Sequence, residues 1–407
     1  MKKSIVDIFF HVLRYSIGAS NVFPSGISEG MWYEIFKIAQ QQSLLGVLFY
    51  GIQKQDQEKP PREMVLKWYA ISEQIRQANE KTNRVAVDLA DFFRREGFRT
   101  CVLKGQGNAL YYPDPSIRMS GDIDIWVKPV KGLEFRDKSG GVGFESFLSS
   151  VLLYVRKKNP KAKACYHHVD AGEYKGVEVE VHYRPSFMNN LIHNRRLQKW
   201  FEVNAEDQFS HEVELPNGAG QICVPTNAFN HIYQMAHIYN HVIHEGVGLR
   251  QIVDYYYLLR KAKDESEKLI VKSEKFFDEN SGQKSGNLNA GHVGSDGLEL
   301  SETLRYLGLE KFAGAVMWVL HEALGLEDKY MIVQPNEKLG KFLLDEIMQG
   351  GNFGQYEADG SKKKPEGRVA HNLHRLQRDL RLMWYFPSEC LWEPVFRVYH
   401  FFWRLVH

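Results

Sequence analysis

A chain of 407 residues, 43% apolar and 13% aromatic, has material for two or three compact units with large cores, at roughly 150 residues per domain. That excludes a peptide hormone, a disulfide mini-scaffold and a mostly disordered protein. Lys and Arg number 52 against 50 Asp and Glu, a formal charge of +2, so no overall field gathers a polyanion and a charged partner has to be recognised locally.

The chain begins Met1-Lys2-Lys3, but Asp7, His11 and Arg14 interrupt the apolar stretch that a cleaved signal peptide needs, and residues 4–15 read as an amphipathic first helix. From Ile5 to about Arg94 apolar residues recur at helical spacing, as in Ile35, Ile38, Leu44, Leu45 and Leu48, which predicts an N-terminal helical lobe over 1–95. After Gly97 the pattern shortens. Thr100-Cys101-Val102-Leu103 and Ile123 to Val127 are short apolar strands, and Val177 to Tyr183 alternates strictly, so a small mixed β-sheet is expected within 96–225. Helical periodicity returns after Pro225 and again near Leu298, predicting a C-terminal helical domain over 226–407. Between those stretches, 278–297 holds five glycines with Asn and Ser and reads as a solvated, flexible loop. The fold class predicted is α+β, a small mixed sheet flanked by helical regions.

Residues 361–407 carry nine Lys or Arg against four acids, interleaved with Trp384, Tyr385, Trp392, Phe401, Phe402 and Trp403. Such a segment can bind nucleic acid or a membrane surface; the preferred reading is a helix whose aromatic face packs on its neighbours while its basic face is solvated. No run approaches the roughly 18 uncharged apolar residues of a spanning helix, so no membrane span and a cytoplasmic location are expected. Cys101, Cys165, Cys223 and Cys390 lie far apart without a C-x-x-C pair and read as buried thiols.

The residues that carry chemistry begin at Leu103. Asp122 and Asp124, two apart on a strand, project to one face while Ile123, Ile125 and Val127 enter the core. Two carboxylates on one exposed face repel unless something neutralises them, and the natural neutraliser is a hard divalent cation. Further on, Val177-Glu178-Val179-Glu180-Val181-His182 places Glu178, Glu180 and His182 together on one face. With that strand beside the Asp122 strand, one glutamate completes a three-carboxylate cluster able to hold two metals, as in-line phosphoryl or nucleotidyl transfer requires. Lys104-Gly105-Gln106-Gly107, followed by a helix beginning near Asn108, offers backbone N–H groups, a helix N-terminus and a cation to a phosphate.

Together these residues resemble the nucleotidyltransferases of the DNA polymerase beta superfamily, whose pattern is a glycine turn and helix, an acid-x-acid strand and a third acid on a later strand. More narrowly, Leu103-Lys104-Gly105, Tyr111-Tyr112, Arg118, Gly121-Asp122-Ile123-Asp124 and Glu180-Val181-His182 resemble a bacterial family of uncharacterised nucleotidyltransferases with a Leu-Lys-Gly motif and a Glu/Asp-x-His strand. The likeness covers about 98–185, with weaker echoes at Arg250 and Asp254. It implies transfer of a nucleoside monophosphate from an NTP to a hydroxyl or phosphate acceptor with release of pyrophosphate. Asp122, Asp124 and Glu180, in preference to Glu178, become the catalytic and metal-binding residues, with Mg2+ or Mn2+. Lys104, Gly105, Gln106, Arg118 and Gly121 would then face the nucleotide, although Gln106 stands where the turn usually carries serine.

Other residues carry two readings each. Arg118 either reaches a triphosphate or pairs with Asp114. His182 orients Glu180, touches substrate or makes a structural hydrogen bond. His237, His241 and His244 form one stripe after Pro225, with His231 a little before; packing or a cleft wall is preferred over a Zn2+ site. Arg250 and Asp254, one helical turn apart, form an intrahelical pair by default or help place the substrate. The acceptor, whether small molecule, tRNA or protein, is not named by the sequence. Two competing readings stand beside the enzyme: a catalytically inactive nucleotide- or nucleic-acid-binding module using 361–407, and a toxin-like enzyme modifying tRNA or protein.

Overall fold

The structure is a computed structural model that describes residues 5–130, 144–264, 295–352 and 377–406. The chain opens with helix α1 (Ile5–Ser16), which buries Phe9, Val12 and Leu13 at helical spacing, followed by α2 (Glu29–Gln41), whose first turn is capped by the Ser28 side chain accepting from the Met31 N–H. In α3 (Leu45–Gln53), Gly51 lies so close to Ser16 that a Cβ there would overlap its side chain, so the glycine permits the close approach of α1 and α3. The next helix, α4 (Arg62–Arg95), runs 34 residues, about 50 Å at 1.5 Å per residue. Its first half buries Met64, Trp68 and Ile75 among the helices, and its second half puts Val85, Leu89 and Phe93 under the sheet.

The sheet has the strand order β1 (Phe98–Val102), β2 (Ile123–Pro129), β5 (Val177–His182), β4 (His168–Tyr174), β3 (Lys163–Ala164). Only β2 and β5 pair in parallel; the other three pairings are antiparallel. A parallel pair needs a long crossover, and here it includes helix α6 (Phe144–Lys158). Ile123, Ile125, Val127, Val179 and Val181 face a core shared with α4 and α6. The opposite face carries Asp124, Trp126, Glu180 and His182, and the expectation that it is solvated is corrected: Trp126 packs on Phe209 and on Phe229 of α9 (Asn227–His244), and Asp124 is 1% exposed. A two-stranded ribbon, β6 (Glu212–Leu215) and β7 (Gly220–Cys223), lies before α9.

After α10 (Leu249–Asp264), the helices Ser295–Tyr306, Glu310–Glu322 and Glu337–Gly350 close one apolar core with the N-terminal helices, in which Leu13, Trp32, Val253, Leu258, Phe312 and Leu320 all take part. The last helix, Pro387–Val406, returns to the sheet: Trp403 joins the sheet's core and Phe396 packs on Tyr166 and Phe187. Its aromatic residues do not all pack. Phe401, Phe402, Leu391 and Val398 are exposed, so the expected division into one packed aromatic face and one solvated basic face is corrected. Arg381 pairs with Glu346, Arg397 with Glu393 and Asp379, and Arg378 donates to the Ile243 carbonyl; Lys362, Lys363, Lys364, Arg368 and Arg375 lie outside the described residues, as does most of the loop expected at 278–297. All four cysteines are free, but Cys165 and Cys223 are only partly buried, against expectation. Among the described residues no helix is long and apolar enough to cross a membrane.

Glu389, in the first turn of the last helix, is 3% exposed. One of its oxygens accepts from the backbone N–H groups of Asn189 and Asn190; the other has no hydrogen-bond partner. Burial outweighs those two donors and pushes its pKa up to about 7. The folded chain therefore holds this proton more tightly than the unfolded chain, whose Glu titrates near the ordinary 4.5. Stability should fall by about 3 kcal/mol as pH rises from the unfolded value through the folded one. Urea midpoints measured between pH 5 and 8 test this, and Glu389→Gln should flatten the slope across that window.

Candidate active site

Parallel pairing of β2 with β5 sets Asp124 opposite Glu180 and Trp126 opposite His182, so the two acids stand abreast on the face turned toward α9. Asp124 Oδ1 lies 3.0 Å from His182 Nε2 and 3.1 Å from Lys104 Nζ, while Oδ2 is buried without a hydrogen-bond partner. Glu180 Oε2 lies 3.4 Å from His182 Nε2 and 3.6 Å from His168 Nδ1. Asp122, just before β2, is half-buried and lines the same cleft as Lys104. Glu178 is exposed and pairs in register with Glu173 on β4, and it does not join Asp124, Glu180 and His182, whose ligand atoms lie within 4.8 Å of one another.

The electrostatics follow from this crowding. Burial disfavours a charged Lys104, but Asp124, Asp122 and Glu180 outweigh it and hold its pKa above the ordinary lysine value. His182 loses by burial and gains more from Asp124 and Glu180, which hold it up at about 9. Burial also opposes ionisation of Glu180, yet His182, His168 and Lys104 keep it down at about 2.

Upstream, the Leu103 N–H donates to the Asp124 carbonyl at 2.9 Å, which ties the turn to β2. Gly105 adopts φ +69°, a conformation open to glycine, and precedes α5 (Gln106–Ala109), a helix of four residues beginning two positions earlier than expected. Gly107 presses on Val224: a Cβ there would stand 2.9 Å from Val224 Cγ1. The side chain of Gln106 is buried and donates to Asn83 of α4, so its expected turn toward a nucleotide is corrected. Gly121, by contrast, lines the small cleft with Gly105, Asn108 and Asp122.

Arg118 lines that cleft too, but its guanidinium is spent on a partner 136 residues away. Nε and Nη2 each donate to Asp254 of α10 at 2.8 Å, and the Tyr112 hydroxyl donates to the same carboxylate at 2.7 Å. The alternative pairing of Arg118 with Asp114 is not made, since Asp114 accepts from the Ser116 N–H; Arg250 donates to the Met119 carbonyl at 3.1 Å. The histidine stripe of α9 divides. His237 Nε2 lies 3.5 Å from Lys104 Nζ and 3.0 Å from His241 Nε2, and His244 meets the Asn189 side chain at 3.1 Å; all three line a cleft of about 790 Å³. His231 instead sits in the core against Tyr255, where burial pushes its pKa down to about 4.

Two features of the site escape a reading by local pattern. His168 opens β4 with His167 just before it, and the β4–β5 hairpin sets His168 opposite His182, against Glu180. The signal was present as a His-His pair a hairpin's length before a Glu-x-His strand. The far wall of the large cleft comes from Phe396, Arg397, His400 and Arg404 of the last helix, more than 200 residues from β5, and no local motif marks it.

No curated protein and no solved structure matches the chain. One family model, described as an uncharacterised nucleotidyltransferase, matches residues 28–275; that is more than half of the 407 residues and takes in β1 to β7 with the acids of the cleft, so the chain belongs to this nucleotidyltransferase family.

Proposed function

We propose that the chain transfers a nucleoside monophosphate from an NTP to a hydroxyl or phosphate acceptor in a reaction that depends on Mg2+ or Mn2+. The observation that supports this most is the pairing of Asp124 with Glu180 across parallel strands, beside the cleft that Asp122 and Glu180 line, with Asp124 Oδ2 buried and unpartnered. Carboxylate oxygens suit a hard cation, and an oxygen without a donor is what such an ion satisfies, so Asp122, Asp124 and Glu180 fit the role of ligands. The chemistry the ion supplies is neutralisation of charge on the phosphates during an in-line displacement. Lys104 adds a fixed positive charge beside the acids, and the backbone at Gly105 and Gly121 lets phosphate oxygens approach closely. Glu180, kept ionised by His182, His168 and Lys104, is placed to hold and orient. The acceptor enters through the 790 Å³ cleft, between the acids and the wall of Arg397, His400 and Arg404.

The test is equilibrium binding of each labelled NTP to the full chain with Mg2+ or Mn2+ and with chelator, followed by pyrophosphate release with tRNA, protein and small-molecule acceptors. Metal-dependent binding and release are expected. Binding without release by any acceptor would favour an inactive nucleotide-binding module, and no binding of any NTP would sink the proposal.

A further inference from the structure

Beside the carboxylates, three imidazoles meet. One ring nitrogen from each of His167, His168 and His182 lies within 4.8 Å of those of the other two. The ring centroids are 4.3 Å apart for His167 and His168, 5.4 Å for His167 and His182, and 5.2 Å for His168 and His182. His168 Nδ1 stands 3.0 Å from His167 Nε2 and 3.6 Å from Glu180 Oε2, and that oxygen is 3.4 Å from His182 Nε2. Ligand atoms bound about 2.0–2.2 Å from a common ion stand roughly 2.8–3.6 Å from each other, by the geometry of tetrahedral and octahedral spheres. The contacts His167–His168, His168–Glu180 and Glu180–His182, at 3.0, 3.6 and 3.4 Å, are therefore spaced as neighbouring ligands of one ion are.

The orientation of the rings agrees. His182 Nδ1 lies 3.2 Å from the Arg184 carbonyl, to which only an N–H can donate, so it is Nε2 that faces the carboxylates. A backbone carbonyl fixing one imidazole nitrogen while the other faces an ion is the arrangement of metal-ligating histidines. The adjoining carboxylate, Asp124, is 1% exposed and leaves Oδ2 without any hydrogen-bond partner, an unmet acceptor at the edge of the same cluster. Nothing in the transfer chemistry of three carboxylates calls for His167 or His168.

We propose that His167, His168 and His182, with Glu180, form a site for a borderline divalent transition metal of the Zn2+ class. It shares Glu180 with the carboxylate site and differs from it in preference, because imidazole nitrogen favours Zn2+ and Co2+ where carboxylate oxygen suits Mg2+. All four residues line the large cleft, so the coordination sphere is open on one side, as in sites that act on a substrate and unlike closed structural ones.

The full chain, stripped of metal with chelator, is titrated with Co2+ as a coloured stand-in for Zn2+. One equivalent should bind with visible d–d absorption, be displaced by Zn2+, and resist a large excess of Mg2+. His168→Ala should weaken Co2+ binding by about 100-fold or more, whereas exposed Glu178→Gln should leave it unchanged. X-ray absorption of the zinc-loaded wild-type chain avoids any folding defect of the variant and should show the outer-shell scattering of two or three imidazoles. Absence of that scattering, or an unchanged Co2+ spectrum and affinity in His168→Ala, would overturn the site and leave the histidines hydrogen-bonded to each other. The outcome is separable from the transfer reaction: zinc bound by imidazoles without NTP binding defeats only the proposed function, and NTP binding with Mg2+ but no imidazole-bound zinc defeats only this site.

Discussion

Asp124→Asn is expected to cut the rate of pyrophosphate release by about 10³-fold or more, while the variant folds with its secondary structure intact. The substitution keeps the shape of a side chain buried between Lys104 and His182, so the neighbouring Trp126 and Phe229 retain their packing. What it removes is charge. Asp124 is the anion that meets both Lys104 and His182, and its unpartnered oxygen is the feature best suited to a cation. A thousandfold loss corresponds to about 4 kcal/mol of transition-state stabilisation, within the range for removing a group that places charge at a phosphoryl centre. His182 serves as an internal reporter: with one of its two carboxylate partners gone, its pKa should fall from about 9, visible in the ring-proton shifts of an NMR titration. Glu178→Gln, on the same strand but exposed, should leave turnover unchanged. A variant of Asp124 that turns over as wild type does would remove the acid from the chemistry, whatever its effect on His182.

The features legible in the sequence are those whose signal is local. Val177 to His182 alternates with the period of a strand, and the alternation alone divides three valines for the core from Glu180 and His182 for the other face. The Gly-Asp-x-Asp run likewise announces β2. The state of that other face was not legible, because its cover arrives about 100 residues later in α9, and so Asp124 read as a cation-binding acid on an exposed face although it is 1% exposed. The same reason explains Gln106, whose amide is taken by Asn83 from the helix before, and Arg118, whose partner lies on α10. Sequence proximity offered Asp114 to Arg118; burial decided for Asp254, since a desolvated guanidinium needs a full bidentate carboxylate and a capping acid on a surface turn does not supply one. The lobes separated by pattern at 95 and 225 turn out to share one apolar core, which the continuous α4 joins to the core of the sheet.

The buried Arg118–Asp254 pair should contribute strongly to the stability of the fold. The two side chains are 5% and 4% exposed, joined by two N–H donors at 2.8 Å, with the Tyr112 hydroxyl closing on the same carboxylate. Asp254→Ala leaves the guanidinium buried without its anion and should cost about 3–5 kcal/mol in urea unfolding. Arg118→Met combined with Asp254→Leu should recover most of that loss, because the double change removes both desolvation penalties at once, and the cycle should show coupling of roughly 1–3 kcal/mol. The functional consequence is positional. Asp254 anchors the segment carrying Tyr112 and Arg118, which leads into Gly121 and Asp122, so the stabilised double variant should bind NTP more weakly while the chemistry at Asp124 persists. The two roles open to Arg118 separate in Arg118→Lys. Under either role the lysine loses the bidentate grip on Asp254 and the unliganded chain loses stability; an arginine that also leaves Asp254 to meet a triphosphate adds a loss of NTP affinity beyond that of the double variant.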